Sequence, residues 1–282
     1  WQGRGLPVKR KRPMEQLTRQ DQRTSVLIAG GGITGLTAAH LLLKSKIPFI
    51  LIERHPGTSI HPRARGFDTR SMEIYRQLGL AEPIREAGLA LAPSWGIHTA
   101  ASMQEAIGKT KPRKRKGVQF PSQLKGLESI SAQSPELGAR CTQDLSEPVL
   151  LDRAVSRGAD IRLSTELSWV EQDAEGVTAG VRDRATGRET RIRADYLIAA
   201  DGARSMIRDS LALPTLGKGA LGNLLNIYFE AELGAFVRGR EFSLIRIERP
   251  GIRGLLSSIN NTDRWVFHLS YDPAKGERPE DY

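Results

Sequence analysis

Short apolar runs separated by turn residues recur along the chain, and the first of them leads directly into a helical pattern. Residues 25–29 (SVLIA) form the kind of apolar run that a buried strand needs. Apolar residues then recur at three- and four-residue spacing from Ile33 to Leu43, which is typical of an amphipathic helix. Pro48 indicates a turn, and residues 49–52 (FILI) predict a second strand. Together these patterns predict a strand–helix–strand unit.

The rest of the chain alternates between strand and helix patterns. Residues 196–200 (YLIAA) predict another buried strand, and residues 143–156 predict a helix. Alternation of apolar and polar residues around the turn at 185–187 predicts an antiparallel excursion between two strands of one sheet. The remaining predicted strands cover residues 169–172, 177–183, 190–193, 226–233, 242–247 and 264–270. The mixture predicts an α/β fold.

The turn between the first predicted strand and helix has a glycine pattern that suits phosphate binding. Gly30, Gly32 and Gly35 satisfy GxGxxG in the segment GGGITG, whose fourth residue is Ile33. Gly30 permits the tight turn, Gly32 lets a pyrophosphate approach the backbone, and Gly35 lets the helix pack on the sheet. The free N–H groups and positive dipole end of the helix favour an anion. The pattern therefore predicts a dinucleotide site.

Two acidic residues stand at the ends of predicted strands. Glu53 lies 18 residues after Gly35, close to the spacing at which an acid contacts the ribose of a bound dinucleotide. Its charge would repel a 2′-phosphate, so the site favours FAD or NAD over NADP. Asp201 begins the segment DGARSMIR, which ends at Arg208. From the residues alone, that segment fits either a ligand-facing strand end or a helix cap with a surface arginine.

Composition adds one unusual feature, which is the distribution of positive charge. The net charge is +10, and residues 1–25 and 101–130 each contain 7 Lys or Arg against 2 Asp or Glu. The basic tracts at 9–12 and 109–116 are interpreted as a solvated tail and loop, because no aromatic residue is interleaved to stack on bases. We therefore expect no specific nucleic-acid partner, although a polyanion-binding or nuclear-localisation role is the alternative.

Several classes of protein are disfavoured by what the sequence contains. The only cysteine is Cys141, which excludes an internal disulfide framework and predicts a reducing compartment, the cytoplasm. The five histidines show no metal-ligand spacing, so no metal site is expected. No apolar stretch is long enough to predict a transmembrane segment. The sequence contains no GxSxG nucleophile motif.

On the glycine motif, the segment 53–80 (ERHPGTSIHPRARGFDTRSMEIYRQLGL) and DGARSMIR, the chain resembles the single-component FAD-dependent aromatic hydroxylases. The segment 226–282 is similar to the phenol and polyketide hydroxylase branch of that family. The resemblance covers about residues 25–100 and 140–282. It implies a Rossmann-like FAD-binding βαβ unit with an interleaved antiparallel β substrate domain, truncated at the C-terminus.

The resemblance also implies a division into domains. Residues 1–24 would be a basic, disordered tail, and the FAD-binding domain would combine residues 25–90 with 140–213. A partial substrate domain would combine residues 91–139, which include the basic insert 109–116, with residues 214–282. Within the last segment, the candidate substrate-facing residues are Tyr228, Phe242 and Trp265, and packing in the core is the alternative for all three.

Specific cofactor contacts follow from the same resemblance. Arg63 or Arg65 would pair with the diphosphate, and Gln143 would approach the flavin. The full set of implied cofactor-binding residues is Gly30, Gly32, Ile33, Gly35, Glu53, Arg54, Arg63, Arg65, Gln143, Asp201 and Arg208. No catalytic side chain is implied, because the cofactor makes the bonds.

The implied activity is hydroxylation of an aromatic or polyketide-like small molecule, with NADH or NADPH and O2 as co-substrates and a flavin C4a-hydroperoxide as oxidant. Members of the family carry a later Gly-Asp motif that binds the flavin ribityl chain, and this sequence contains no Gly-Asp dipeptide. One alternative is therefore a non-catalytic FAD-binding fragment. Another is a related flavoprotein of the group, such as an epoxidase or a halogenase.

Overall fold

Two β-sheets with helices packed against them form the described part of the protein. The computed structural model describes residues 22–89, 91, 95–112 and 133–282. Most of the predicted basic tail at 1–24, and the second half of the insert at 109–116, lie outside the described residues.

The first sheet has six strands in the order β4-β2-β1-β7-β6-β5. Parallel pairing joins β4, β2, β1 and β7, whereas β6 and β5 are added in antiparallel pairing. The strands are β1 (Gln22–Ala29), β2 (Phe49–Ile52), β4 (Asp160–Arg162), β5 (Thr165–Asp173), β6 (Gly176–Asp183) and β7 (Glu189–Ala199). The parallel core places the carboxyl ends of β1, β2 and β7 at one edge of the sheet.

The central position of β1 explains its uninterrupted apolar run. Ile28 points into the core on one face of the sheet, while Leu27 and Ala29 point into the core on the other face. All three are buried, as are the four residues of β2. A parallel strand that is covered on both faces needs apolar residues at every position rather than at alternate ones.

Four helices pack on one face of this sheet or against each other beside it. The helix after the glycine turn contributes Leu36 and Ala39 to the shared core, and Leu150 comes from the helix that the sequence predicted at 143–156. The helices are α1 (Ile33–Lys44), α2 (Thr69–Gln77), α3 (Ala81–Gly88) and α5 (Gln143–Ser156). Asp68 caps α2 by accepting the Ser71 N–H at 2.8 Å, which fixes where that helix begins.

The second sheet has five strands in the order β3-β9-β10-β11-β8. All of its pairings are antiparallel except the parallel pairing of β3 with β9. The strands are β3 (Trp95–Ala100), β8 (Asn223–Glu230), β9 (Phe242–Arg249), β10 (Ile252–Ser258) and β11 (Arg264–Tyr271). Three short helices are α4 (Met103–Gly108), α6 (Met206–Ser210) and α7 (Gly234–Val237). Two 3-10 turns follow at Pro273–Lys275 and Pro279–Asp281.

The aromatic residues expected to face substrate from this sheet divide into two groups. Phe242 and Trp265 are fully buried and stack with ring centroids 5.9 Å apart, in a core that also contains residues of α4 and α7. Of the two alternatives, packing in the core therefore applies to both residues, because contacts inside the second core already use both rings. Tyr228 is half-buried and lies on the side of the sheet that faces α5.

The predicted α/β class, with its interleaved antiparallel sheet, is confirmed. The differences concern strand limits and three strands that were not predicted, β3, β4 and β10. The runs at 190–193 and 196–200 belong to one strand, β7, and β1 begins three residues earlier than predicted. Strand β10 was not predicted, because its sequence IRGLLSS neither alternates nor forms a long apolar run. The boundaries of the two predicted domains stay a prediction.

Two absences hold for the part of the chain that the structure describes. None of its helices combines the length and apolar character that crossing a membrane requires. Within the same residues, no group of three or more His, Cys, Asp or Glu side chains is arranged to hold a metal ion.

Candidate functional site

The glycine turn joins β1 to α1 at the carboxyl edge of the first sheet. Gly30 N–H donates to the Ile52 carbonyl at 2.8 Å, which ties the turn to β2. Gly32 is the N-cap of α1 and has no side chain with which to satisfy the first N–H groups of the helix. These N–H groups have no partner within the helix itself, so an anion at this point gains hydrogen bonds and a favourable dipole interaction.

The three glycines of the motif meet very different surroundings. A Cβ at Gly35 would lie 1.9 Å from the Gly30 carbonyl oxygen, and one at Gly30 would lie 2.3 Å from the Ala200 carbonyl oxygen. Gly30 also has a positive φ of 108°. A Cβ at Gly32 would meet only the Glu147 carboxylate, at 3.6 Å. The fold therefore excludes side chains at 30 and 35 but leaves open space at 32, as expected of a glycine that makes room for a ligand.

Glu53 lies beside this turn, as its position at the end of β2 predicts. Its Oε2 accepts the Gly31 N–H at 2.7 Å, and its Oε1 accepts the backbone N–H of His55 at 2.9 Å and the His55 ring Nδ1 at 2.6 Å. Two carboxylate oxygens provide about four acceptor positions, so one is left for a ribose hydroxyl. Arg54, the next residue, is exposed at the same edge.

The segment at Asp201 reaches the glycine turn from the neighbouring strand. An added Cβ at Gly30 would lie 3.1 Å from the Asp201 backbone nitrogen, so the two motifs are adjacent. Asp201 Oδ2 accepts the Ile207 N–H at 3.2 Å, and Ser205 caps α6 by accepting the Arg208 N–H at 3.0 Å. Arg208 itself bonds Asp209 and the Ala203 carbonyl. The side chains of this segment therefore cap a helix, as one of the two interpretations predicts. The strand end lies at the candidate site, and its contact with a ligand stays a prediction.

Gln143 and Ile33 converge on a side chain that the sequence analysis did not single out. Glu147, on α5, is only 2% exposed. Its Oε1 accepts the Ile33 N–H at 3.1 Å and the Gln143 side-chain amide at 2.6 Å, while its Oε2 accepts the Ser59 N–H at 2.7 Å. The first turn of α1 is thus held by a carboxylate from α5. The signal that could have revealed Glu147 is its place on the stripe 143, 147, 150 and 154 of a predicted helix, where a charge requires partners.

The two arginines proposed as phosphate ligands have different surroundings. Arg65 donates through Nη1 to the Ser243 carbonyl at 2.6 Å and through Nη2 to the Ser258 carbonyl at 2.7 Å, both in the second sheet. Burial lowers the pKa of Arg65. Arg63 is exposed, and its guanidinium makes no hydrogen bond or ion pair with the described residues. Its backbone carbonyl accepts the Gln143 N–H at 3.1 Å, which places it beside α5. Of the two, Arg63 has the guanidinium without a partner among the described residues, which favours it as the phosphate ligand.

A partly buried ion pair links α5 to the second sheet. Arg264, on β11, pairs with the Asp144 carboxylate on α5 and donates through Nε to the Tyr228 hydroxyl at 2.9 Å. Arg140, which precedes α5, donates to the Ile259 carbonyl at 3.0 Å. Burial, together with the nearby charge of Arg65, lowers the pKa of Arg140 to about 10.

Buried polar atoms without a partner among the described residues cluster at this junction. They are both ring nitrogens of His61, the Thr142 hydroxyl and Oδ1 of Asp144. The His61 ring lies 6.1 Å from the Tyr228 ring, measured between centroids. Burial and Arg63 lower the pKa of His61 against the opposing effect of Asp144, so the imidazole is neutral near pH 7. Buried polar groups nearly always have hydrogen-bond partners, so the junction retains capacity for a polar ligand.

Comparison with known proteins gives a single, consistent result. Residues 23–282 match the family described as FAD binding domain. The chain is 36% identical over 266 residues to aklavinone 12-hydroxylase of Streptomyces peucetius subsp. caesius, an alignment that covers 94% of this chain and 53% of that protein.

Solved structures show the same likeness. A flavin-dependent monooxygenase in complex with FAD and substrate superposes with a TM-score of 0.75 at 30% identity, covering 92% of this chain and 45% of that one. Aklavinone-11 hydroxylase with FAD and aklavinone gives a TM-score of 0.77 at 30% identity, covering 93% and 48%. The chain therefore spans about half the length of the relatives that it matches.

Proposed function

Because this chain belongs to the FAD binding domain family, we propose that it is the FAD-binding part of a monooxygenase that hydroxylates an aromatic, polyketide-like substrate with NADH or NADPH and O2. The family resemblance stated from the sequence motifs is confirmed by the match over residues 23–282. The observation that carries the proposal is the open space at Gly32, at the N-terminus of α1 and beside Glu53 and Asp201.

The residues at the sheet edge supply binding and orientation. The N–H groups at the start of α1 other than that of Ile33, which Glu147 accepts, would hold the pyrophosphate of FAD together with the Arg63 guanidinium. Glu53 would accept a ribose hydroxyl. Gln143 and Asp201 would lie on the flavin side of the phosphates. The chemistry that bound FAD would supply is the uptake of hydride from NAD(P)H and the activation of O2.

The junction between the two sheets would hold the aromatic substrate. The His61 ring and Asp144 Oδ1 provide buried acceptor atoms that have no partner among the described residues, so a phenolic hydroxyl could donate a hydrogen bond to either of them. The ion pair with Arg264 holds the Asp144 carboxylate in position. Such a bond draws the phenolic proton away from oxygen and enriches the ring in electrons, which favours attack by an electrophilic oxygen. The single cysteine favours a reducing compartment, so the location included in this proposal is the cytoplasm.

A direct test is titration of the purified chain with FAD, followed by flavin absorbance and fluorescence. We expect binding of one FAD per chain, and a loss of affinity of about tenfold or more in Gly32→Ala, whose methyl group fills the open space. Gly108→Ala is the matched control, since a Cβ there meets nothing within 4 Å among the described residues. Equal FAD affinity in all three proteins would contradict the proposed site.

A second candidate function is FAD binding without hydroxylation. It is favoured by two facts, namely that the chain spans about half of its relatives and contains no Gly-Asp dipeptide. Consumption of NADH or NADPH by the FAD-loaded chain separates the two. Oxidation that is stimulated by a phenolic substrate and coupled to its hydroxylation supports the monooxygenase, whereas stoichiometric FAD without any such turnover supports the binding fragment.

A further inference from the structure

Glu147 connects three parts of the chain that are distant in sequence. Its carboxylate accepts the N–H of Ile33 at the start of α1, the N–H of Ser59 in the loop after β2, and the side-chain amide of Gln143 at the start of α5. The separations in sequence are 114 residues to Ile33 and 88 residues to Ser59.

The chemistry of these contacts explains why a carboxylate stands at this buried position. An ionised carboxylate that is almost fully removed from water is strongly destabilising unless donors surround it. Here all three donors are neutral N–H groups, and one of them lies at the positive end of the α1 dipole. Removal of the carboxylate would leave those donors without partners, and each segment would lose its fixed distance from the others.

The same three segments carry the groups through which we propose that FAD binds. Ile33 follows Gly32 in the phosphate-facing turn, Ser59 belongs to the loop that leads to Arg63, and Gln143 is the proposed flavin-side residue. We propose that Glu147 is a positioning residue of the cofactor site, which holds these segments together without touching FAD itself. This inference rests on the proposed function.

The direction in which FAD affinity changes when Glu147 is neutralised distinguishes a positioning role from a simple electrostatic one. If the Glu147 charge acted mainly by opposing the phosphates, then its neutralisation would strengthen FAD binding. If Glu147 acts by positioning, neutralisation weakens binding. In Glu147→Gln the amide keeps the size of the side chain but has only one acceptor oxygen. Its NH2 group would face an N–H donor at the place where the second carboxylate oxygen had accepted a hydrogen bond.

The control is Glu136→Gln, which neutralises a second buried carboxylate. Glu136 is 8% exposed and pairs with Arg76 and Arg85, away from the three segments that Glu147 joins. Two measurements are made on both variants and on the wild-type chain. The first is hydrogen–deuterium exchange of the ligand-free protein, resolved for the peptides that contain Ile33 and Ser59. The second is the FAD dissociation constant, with the visible spectrum of the bound flavin.

We expect Glu147→Gln to exchange faster at both peptides and to bind FAD about tenfold or more weakly, while Glu136→Gln changes neither. A Glu147→Gln chain that binds FAD as tightly as the wild type, or more tightly, overturns the inference while leaving the proposed function in place. A wild-type chain that does not bind FAD overturns the proposed function and the cofactor role of Glu147 with it.

Discussion

At the scale of single residues, the glycines of the motif GxGxxG are needed for two different reasons. Gly35 is required by the fold, because α1 passes so close to the turn that a methyl group would overlap the Gly30 carbonyl. Gly32 has room for a methyl group in the ligand-free protein. The pattern GxGxxG therefore mixes positions that preserve stability with one whose role is to admit a ligand.

This distinction predicts a large loss of stability for one alanine substitution and a small loss for the other. Gly35→Ala should lower the free energy of unfolding by about 3 kcal/mol, because the backbone must shift to relieve the overlap. Gly32→Ala should cost no more than about 1 kcal/mol, the usual range for a poorer N-cap. Urea denaturation of the ligand-free chain measures both values. A Gly32→Ala loss as large as that of Gly35→Ala would mean that residue 32 also has a structural role.

His40 provides a residue-scale prediction about pH. It is fully buried, Nε2 lies 2.8 Å from the Leu150 carbonyl oxygen, and Nδ1 lies 3.4 Å from the Arg157 guanidinium. Burial lowers the pKa of His40, with Arg157 acting in the same direction against the Leu150 hydrogen bond.

A histidine whose folded pKa lies below its unfolded value binds protons more readily when the chain unfolds. Its contribution to stability is therefore complete above the unfolded pKa of about 6.5, falls as the pH drops below that value, and levels off below the folded pKa. We expect the free energy of unfolding to decrease from about pH 6.5 towards pH 5, and the decrease to be smaller in His40→Gln. Parallel pH profiles for the two proteins would rule out His40 as the titrating group.

At the scale of elements, arginine side chains connect the first sheet and its helices to the second sheet. Arg65 satisfies carbonyl groups of β9 and β10. Arg264 joins β11 to α5 through Asp144. These hydrogen bonds form only when donor and acceptor are aligned. They therefore fix the orientation of the two sheets relative to each other as well as their contact.

Substituting Arg65 and Arg63 one at a time distinguishes the contact with the second sheet from the proposed contact with phosphate. Arg65→Met should lower the free energy of unfolding by about 2–3 kcal/mol, since two carbonyl groups lose a charged donor. Arg63→Met should change stability by less than about 0.5 kcal/mol and instead weaken FAD binding. Urea denaturation and FAD titration of both variants are the measurements. The reverse assignment of the two effects would show that Arg65 is the phosphate ligand.

The elements also show what the sequence could and could not predict. The β1–α1–β2 unit was predictable because apolar period, glycines and the terminal acid all agree locally. Strand β10 was missed because its partners β9 and β11, rather than its own pattern, specify it. Glu147 was missed for a related reason, since a glutamate on a helix is ordinarily exposed and its partners lie 88 and 114 residues away. Arg65 and Arg63 look alike in sequence, and only the second sheet distinguishes them.

At the scale of the whole molecule, the two cores meet near the segment that leads into α5. Cys141, the only cysteine in the sequence, lies in this segment and belongs to the main core of the first sheet. Burial raises the pKa of its thiol to about 12, with the Asp144 charge acting in the same direction. The thiol is therefore protonated and shielded from solvent as long as the core stays closed.

This single thiol should report on opening of the core. Cys141 is expected to react with a water-soluble disulfide reagent at least about a thousandfold more slowly in the native chain than in urea, because reaction requires unfolding of the surrounding core. Stabilisation by bound FAD should slow the native reaction further in proportion to FAD concentration. Fast labelling of the native chain would show that the junction opens without global unfolding.

The order of strands in the first sheet has a consequence for how the protein emerges from the ribosome. The central strand β1 pairs with β7, and the paired residues Ala29 and Ala199 are 170 positions apart. At about 5–20 residues per second, roughly 8–34 s of synthesis separate the appearance of the two partners. During that interval the edge of the apolar strand β1 that pairs with β7 has no partner strand, while residues 95–100 of the second sheet have already been made. Chaperones that shield short apolar strands would act in this window, well before the glycine turn can receive a nucleotide.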